Sequence, residues 1–407
     1  MISENKKTPT CIILYHYYYP DDVISSRHFT DLAEGLCIRG WNIIVFTSNY
    51  YCRKQEKIPL LKETRNNITI KRFRRFPFNQ SSNVGRLLNS FILSIQWLTV
   101  LLFAKTDVVI FGTDPQFGYF IIPPIVFLRK KLHFAIWGFD LYPEAIFANG
   151  IRVSTTVKKI LTWVAGKSYQ CCDLLVDIGS CMRNRFAKYK SSAKCETIIP
   201  WALHEPETIT FPDIQTRHEL FGNAKLCILY SGTIGRAHQF DEFIALAREL
   251  RSRKASVAFC FAGHGNRYQE LHKKIIPEDT NITFAGFIEE DRLPLRLNAA
   301  DIHMVSLRSG WEGIVVPSKF FGSLASGRPI LYCGTHNSCI AQWIKSERLG
   351  FIVDGETITQ IADQLEELSN NQEQLHSMQE HTFSFYKKKF TQNAQCDHWD
   401  RSLRSIL

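Results

Sequence analysis

Residues 225–250 read KLCILYSGTIGRAHQFDEFIALAREL. Lys225–Tyr230 is a strand pattern, apolar after its first residue. Ser231–His238 follows with Gly232 and Gly235, and a helical spacing of apolar residues then runs to Leu250. A strand buried on both faces, a glycine-bearing turn and a helix form the unit from which parallel sheets are built.

The same alternation extends outward in both directions. Cys11–Tyr15, Asn42–Thr47, Thr69–Phe73, Asp107–Phe111, His133–Gly138 and Leu174–Ile178 read as strands ahead of this stretch. Ser256–Ala262, Ile282–Ala285, Ile302–Val305 and Ile330–Cys333 read as strands after it. Between the first two, Phe29, Leu32, Ala33 and Leu36 fall on one helical face, and Gly40 stands where a helix ends. The expected class is α/β with doubly wound sheets. Residues 200–222 contain Pro200, Pro206 and Pro212 and no sustained period, which places a linker at 201–222. Two domains are expected, 1–200 and 223–372, facing each other across a cleft, with ligands beyond the carboxyl ends of the strands. Residues 373–407 hold Phe385, Tyr386, Phe390 and Trp399 and are expected to pack back on the first domain.

Composition excludes several classes. In 407 residues, 29 Phe, 14 Tyr and 8 Trp carry too much apolar surface for a disordered chain. Twelve Cys without a CxxC pair are too sparse for a disulfide scaffold and suit reduced, buried thiols. The polar start MISENKKTPT is not expected to be a signal peptide. The longest apolar run, Phe91–Phe103, falls short of the roughly 20 residues that cross a bilayer, so no spanning segment is expected. A net charge of +10 suits nucleic acid, anionic lipid or a phosphorylated substrate. No nucleic-acid motif accompanies it, so no nucleic-acid partner is expected.

Two segments of the second domain suit an anion. After the strand Lys225–Tyr230, the turn at Gly232 and Gly235 brings Arg236 to the mouth of a helix. An ordinary βα turn is the plainer alternative, and the spacing lacks the GxGxxG dinucleotide pattern. Further on, Pro317, Ser318 and Lys319 put a helix-starting proline, a hydroxyl and a cation at the head of a second helix. Two such sites converging on one diphosphate would be far more specific than either alone.

With these residues in place the sequence resembles the family-4 retaining glycosyltransferases of the GT-B fold, especially the bacterial subgroup that builds O-antigen and capsule. The likeness rests on Tyr18-Tyr19-Pro20 and Arg27, Asp140-Leu141-Tyr142-Pro143-Glu144, Ser231-Gly232 through Gly235-Arg236, Phe261-Ala262-Gly263-His264-Gly265, and Pro317-Ser318-Lys319. It implies two Rossmann-like domains and transfer of a hexose or N-acetylhexosamine from a nucleotide sugar to a lipid-linked glycan. A UDP donor ranks ahead of GDP or dTDP. By that likeness Gly232, Gly235, Arg236, Gly263, Gly265, Pro317, Ser318 and Lys319 bind the donor. Glu312 reaches the sugar hydroxyls, and Tyr19 and Arg27 lie on the acceptor side. The chain departs from the family at Gly322, near where a second glutamate usually stands, and at His238 and Gln239, where a lysine is common. A nucleotide-sugar 2-epimerase of the same fold, or an inactive scaffold, are the rival readings.

Asp140 follows the strand His133–Gly138, where a carboxylate can orient an acceptor hydroxyl or stabilise positive charge on the sugar; capping of the helix near Pro143-Glu144 is the structural alternative. The sequence has no DxD motif and no metal-ligand spacing, so neither metal nor cofactor is expected. Lys71, Arg72, Arg74 and Arg75 alternate with Phe73, Phe76 and Phe78, and Arg86–Leu102 forms a wide apolar face. Residues 71–105 are therefore expected to meet an anionic membrane surface, placing the chain on the inner face of the cell membrane.

Overall fold

The computed structural model describes residues 8–52, 54, 56–75, 78 and 82–407. The chain divides into two units: Met1–Pro200 with Gly313–Val315 and Gln392–Leu407, and Trp201–Glu312 with Val316–Thr391.

The first unit is built on eight strands: β1 Thr10–Leu14, β2 Asn42–Ser48, β3 Lys62–Arg65, β4 Ile68–Phe73, β5 Val108–Gly112, β6 His133–Trp137, β7 Leu174–Asp177 and β8 Lys194–Thr197. Their order is β3-β4-β2-β1-β5-β6-β7-β8. All pairings are parallel except the β3–β4 hairpin. The chain order reverses between β1 and β5, the position at which open α/β sheets bind ligands. Ile12, Ile13, Val109, Ile110, Phe134 and Ile136 are fully buried, as strands covered on both faces require.

The second unit holds β9 Leu226–Ser231, β10 Val257–Ala262, β11 Ile282–Ala285, β12 Ile302–Leu307, β13 Ile330–Gly334 and β14 Gly350–Val353. They run in the order β11-β10-β9-β12-β13-β14, all parallel. Both units are Rossmann-like, so the expected class stands. Three edge strands, β3, β8 and β14, were not legible. Lys62–Arg65 is polar throughout and forms a strand because Asn66 and Asn67, at φ 47° and 63°, close a tight hairpin onto β4.

Four expectations are corrected. Residues 214–221 are helical rather than linker: Asp213 caps Ile214–Phe221 by accepting from Thr216 N–H at 2.8 Å, and Arg217 donates to both oxygens of Asp301 at 2.9 and 2.7 Å. Residues 373–407 do not all return to the first unit. The helix Gln372–Lys389 packs on the helix Lys319–Ala325 in the second unit, and only Gln392–Arg404 joins the first. There Trp399 is buried edge-on to Trp137 with centroids 5.3 Å apart, and Trp41 Nε1 donates to Asp400 at 2.6 Å.

The third correction concerns the basic-aromatic segment. Lys71–Phe73 completes β4 and pairs with β2 inside the sheet. Arg72 is 4% exposed, and its guanidinium donates to Leu60 O at 3.0 Å, Tyr19 O at 2.6 Å and Glu63. Lys71 Nζ lies 5.3 Å from the centre of the Phe46 ring, and Arg75 lies 3.8 Å from that of Tyr50. Arg72 thus has the partners that burial demands, whereas Arg75 rests on the Tyr50 ring with its Nε and Nη1 buried and not hydrogen-bonded to any described residue. Phe76 of that segment lies outside the described residues. Just beyond, the helix Asn83–Phe103 is continuous through the polar Ser94 and Gln96. Its stretch Val84–Phe103 is, by length and composition alone, long and apolar enough to cross a membrane, which corrects the expected shortfall.

Candidate active site

At the carboxyl edge of the second sheet two loops lie backbone to backbone. Gly232 N–H donates to Ala262 O at 2.9 Å, and Ile234 N–H donates to His264 O at 2.8 Å. Gly263 sits at φ 132°, and a Cβ there would come 2.1 Å from Gly232 O. One on Gly265 would come 2.2 Å from Ile234 O. The glycines at 263 and 265 are thus required by the neighbouring loop.

Lys319 converges on the first of these loops. It opens the helix Lys319–Ala325, with Ser318 at the N-cap and Pro317 before it. Its Nζ donates to Thr233 O at 3.4 Å and stands 5.0 Å from the centre of the Tyr230 ring. The stem is packed while part of the side chain keeps solvent contact. Desolvation pulls its pKa from 10.5 down to about 8, and no ion pair with a carboxylate offsets it among the described residues.

Arg236 is exposed, with no hydrogen bond or ion pair to another described residue. The helix expected directly after it begins only at Asp241, and Asp241 and Glu242 occupy its first turn. Its dipole is therefore already offset by carboxylates, and Arg236 stands on the loop rather than at a helix start. His238 carries no positive charge in place of the family's lysine. Burial, with Lys319 nearby, holds its pKa down to about 3, and Nδ1 bonds Ser306 O at 2.8 Å.

Glu312 is held by two donors, Gly310 N–H and the Thr335 hydroxyl, both at 2.9 Å. Thr335 follows β13 and was not singled out from the sequence. Arg308 was missed too; it follows β12 directly, and its N–H donates to Ala237 O at 2.7 Å, beside the Arg236 loop. A cation immediately after a parallel strand was the available signal. A Cβ at Gly322 meets nothing within 4 Å, so this helix position is open. The cavity of about 370 Å³ in this unit is elsewhere, between Thr208–Pro212 and the helix Gln372–Lys389.

In the first unit His16, Asp114 and Asp140 follow β1, β5 and β6 on either side of the order reversal. His16 is buried, stacked on Tyr17 with ring centres 4.1 Å apart, and Nδ1 lies 3.5 Å from Asp114 Oδ1. Asp140 does not cap the following helix; Pro143 holds that position before Glu144–Ala148. Its backbone N–H contacts Thr113 Oγ1 at 3.2 Å, while its carboxyl hydrogen-bonds no described residue. Asp140 itself is exposed. Desolvation, then the Asp114 carboxylate, raises its pKa to about 6. Tyr19 lies toward the β3–β4 hairpin, its ring 3.6 Å from the Arg65 guanidinium. Arg27 sits in the first turn of the helix Ile24–Ile38. Among the described residues no cluster of three or more His, Cys, Asp or Glu forms a metal site.

Residues 213–384 match the family model described as Glycosyl transferases group 1. The match falls within the second unit apart from Gly313–Val315, and the chain as a whole has the GT-B fold. Over 290 residues it is 24% identical to the "Probable glycosyltransferase WbjE" of Pseudomonas aeruginosa, covering 67% of this chain and 68% of that one. It is 23% identical to the GDP-mannose-dependent alpha-(1-6)-phosphatidylinositol monomannoside mannosyltransferase of Mycobacterium tuberculosis, over 48% of this chain and 52% of the relative. Among solved structures it is similar to Anabaena Alr3699/HepE in complex with UDP and glucose, at a TM-score of 0.66 and 12% identity over 98% of this chain and 100% of that one. The matched region contains both loops, Glu312 and Lys319, whereas Asp140 lies ahead of it.

Proposed function

We propose that the enzyme moves a hexose or N-acetylhexosamine from a nucleotide sugar to a lipid-linked glycan in surface-polysaccharide assembly, with retention at the anomeric carbon. The observation that carries this is Lys319, a cation without a counter-ion aimed at the backbone of the Gly232–Thr233 loop. Such a group gains most from a bound anion, and a diphosphate supplies one. In this reading Arg236 and Lys319 neutralise the leaving diphosphate, the loops at Gly232, Gly235, Gly263 and Gly265 shape its bed, and Pro317-Ser318 position Lys319. Glu312, fixed by Gly310 and Thr335, orients sugar hydroxyls. Asp140 accepts the proton of the acceptor hydroxyl or stabilises the oxocarbenium-like sugar. Tyr19 and Arg27 serve the acceptor.

A uridine donor is supported by the UDP bound in the structural neighbour, and a lipid acceptor by the phosphatidylinositol mannoside of the sequence relative. The test is nucleotide release from UDP-, GDP- and dTDP-sugars with and without a lipid-linked acceptor, the product anomer being read by NMR. Release that requires acceptor supports transfer. Sugar interconversion without acceptor would establish an epimerase, and no turnover with any pair would leave a scaffold.

A further inference from the structure

Three neighbouring helices of the first unit, Asn83–Phe103, Ile122–Leu128 and Thr155–Gln170, present large apolar side chains to solvent. The first packs on the second and the second on the third. Phe91, Ile95, Phe127, Leu128, Ile160 and Trp163 are each between 43% and 80% exposed. On the first helix, Leu93, Trp97 and Leu101 form the opposite, buried face, so this helix lies along the domain and shows one side outward. Large apolar side chains exposed on three helices that pack in sequence mark an interaction site.

The charges around it identify the occupant. Residues 83–103, 118–131 and 155–170 contain no Asp or Glu, although the chain carries about one carboxylate in ten residues. Lys130, Lys131, Lys158 and Lys159 are exposed beside the apolar residues. Arg129 donates to Leu101 O and Ala104 O, both at 2.6 Å, satisfying carbonyls at the end of the first helix. Exposed aromatic and aliphatic residues bordered by lysines and free of carboxylates match an anionic bilayer interface. A symmetric dimer on this face would set cations against cations.

We propose that this three-helix face docks the enzyme on an anionic lipid surface, with Phe91, Phe127 and Trp163 entering the headgroup layer. The assignment rests on and deepens the lipid-acceptor reading; of the expected segment 71–105 it keeps the helix Asn83–Phe103, drops β4, and adds the helices Ile122–Leu128 and Thr155–Gln170. Binding is measured without donor or acceptor, so its failure leaves the glycosyl-transfer reading untouched.

The experiment is co-sedimentation of the intact chain with vesicles of phosphatidylcholine, alone or mixed with phosphatidylglycerol. Binding is expected only with the anionic lipid and should weaken as salt rises. Changing Lys130, Lys131, Lys158 and Lys159 to Gln should weaken it by about tenfold or more. The variant Phe91→Ser/Ile95→Ser/Trp163→Ser should do likewise with an unchanged far-UV spectrum, while Lys71→Gln on β4 should bind as the parent does. Absence of binding by the parent, equal binding to phosphatidylcholine alone, or undiminished binding by both face variants would overturn the assignment. So would a parent dimer that the apolar variant converts to monomer with vesicle binding unaltered, which would give the face to a second copy.

Discussion

Lys319 offers the sharpest test, because its ammonium is costly to the empty protein and useful only with an anion present. The fall in its pKa from 10.5 to about 8 corresponds to about 3 kcal/mol at full burial. Solvent contact of the side chain reduces this to about 1–2 kcal/mol. Lys319→Met keeps the stem and removes the charge, so the ligand-free protein should become more stable by that amount and melt a few degrees higher. The same variant should bind nucleoside diphosphate about 10- to 100-fold more weakly, the equivalent of one charge-assisted hydrogen bond of about 1.5–3 kcal/mol. The sign of the pH dependence follows from the same shift. Between pH 8 and 10.5 the unfolded chain binds the extra proton, so stability of the ligand-free protein should rise with pH in that window. Nucleotide affinity should fall over the same range as Lys319 deprotonates, and Lys319→Arg should remove that fall. Calorimetric titration and thermal scans on the three proteins decide the matter. Equal nucleotide affinity for parent and Met variant would refute the reasoning.

Three further outcomes are expected. Acceptor transfer should decline as pH drops through about 6, where Asp140 gains its proton; Asp114→Asn should move that limb to lower pH, read from kcat/KM profiles. Gly263→Ala should lower nucleotide affinity and stability together, since its Cβ would stand 2.1 Å from Gly232 O at a φ of 132°; unchanged values for both in calorimetry and thermal scans would contradict the packing. Gly322→Ala should raise stability by about 0.5–1 kcal/mol in thermal scans, because the helix position is open and alanine loses less backbone entropy.

Much of the fold was legible because buried parallel strands leave long apolar runs that locate themselves, as at β1, β5, β9 and β10. Edge strands do not; Lys62–Arg65 needed the Asn66-Asn67 turn and its partner β4 to be recognised. Within the candidate site, residue types and their order after strands pointed to Arg236, Lys319 and Asp140. Sequence spacing did not reveal that Thr335 holds Glu312, since the two are joined only through the sheet.

Local chemistry, carried in runs, glycines and prolines, determined the α/β class and the residues worth testing. Tertiary structure decided their environment. Arg72 reads as a membrane cation along the chain and becomes a buried one once Tyr19, Leu60 and Glu63 surround it. Trp163 was not singled out along the chain and joins Phe91 in an exposed surface because no described residue of their unit covers them. Whether a charge is neutralised or a ring is buried depends on partners distant in sequence, and only the folded chain supplies those.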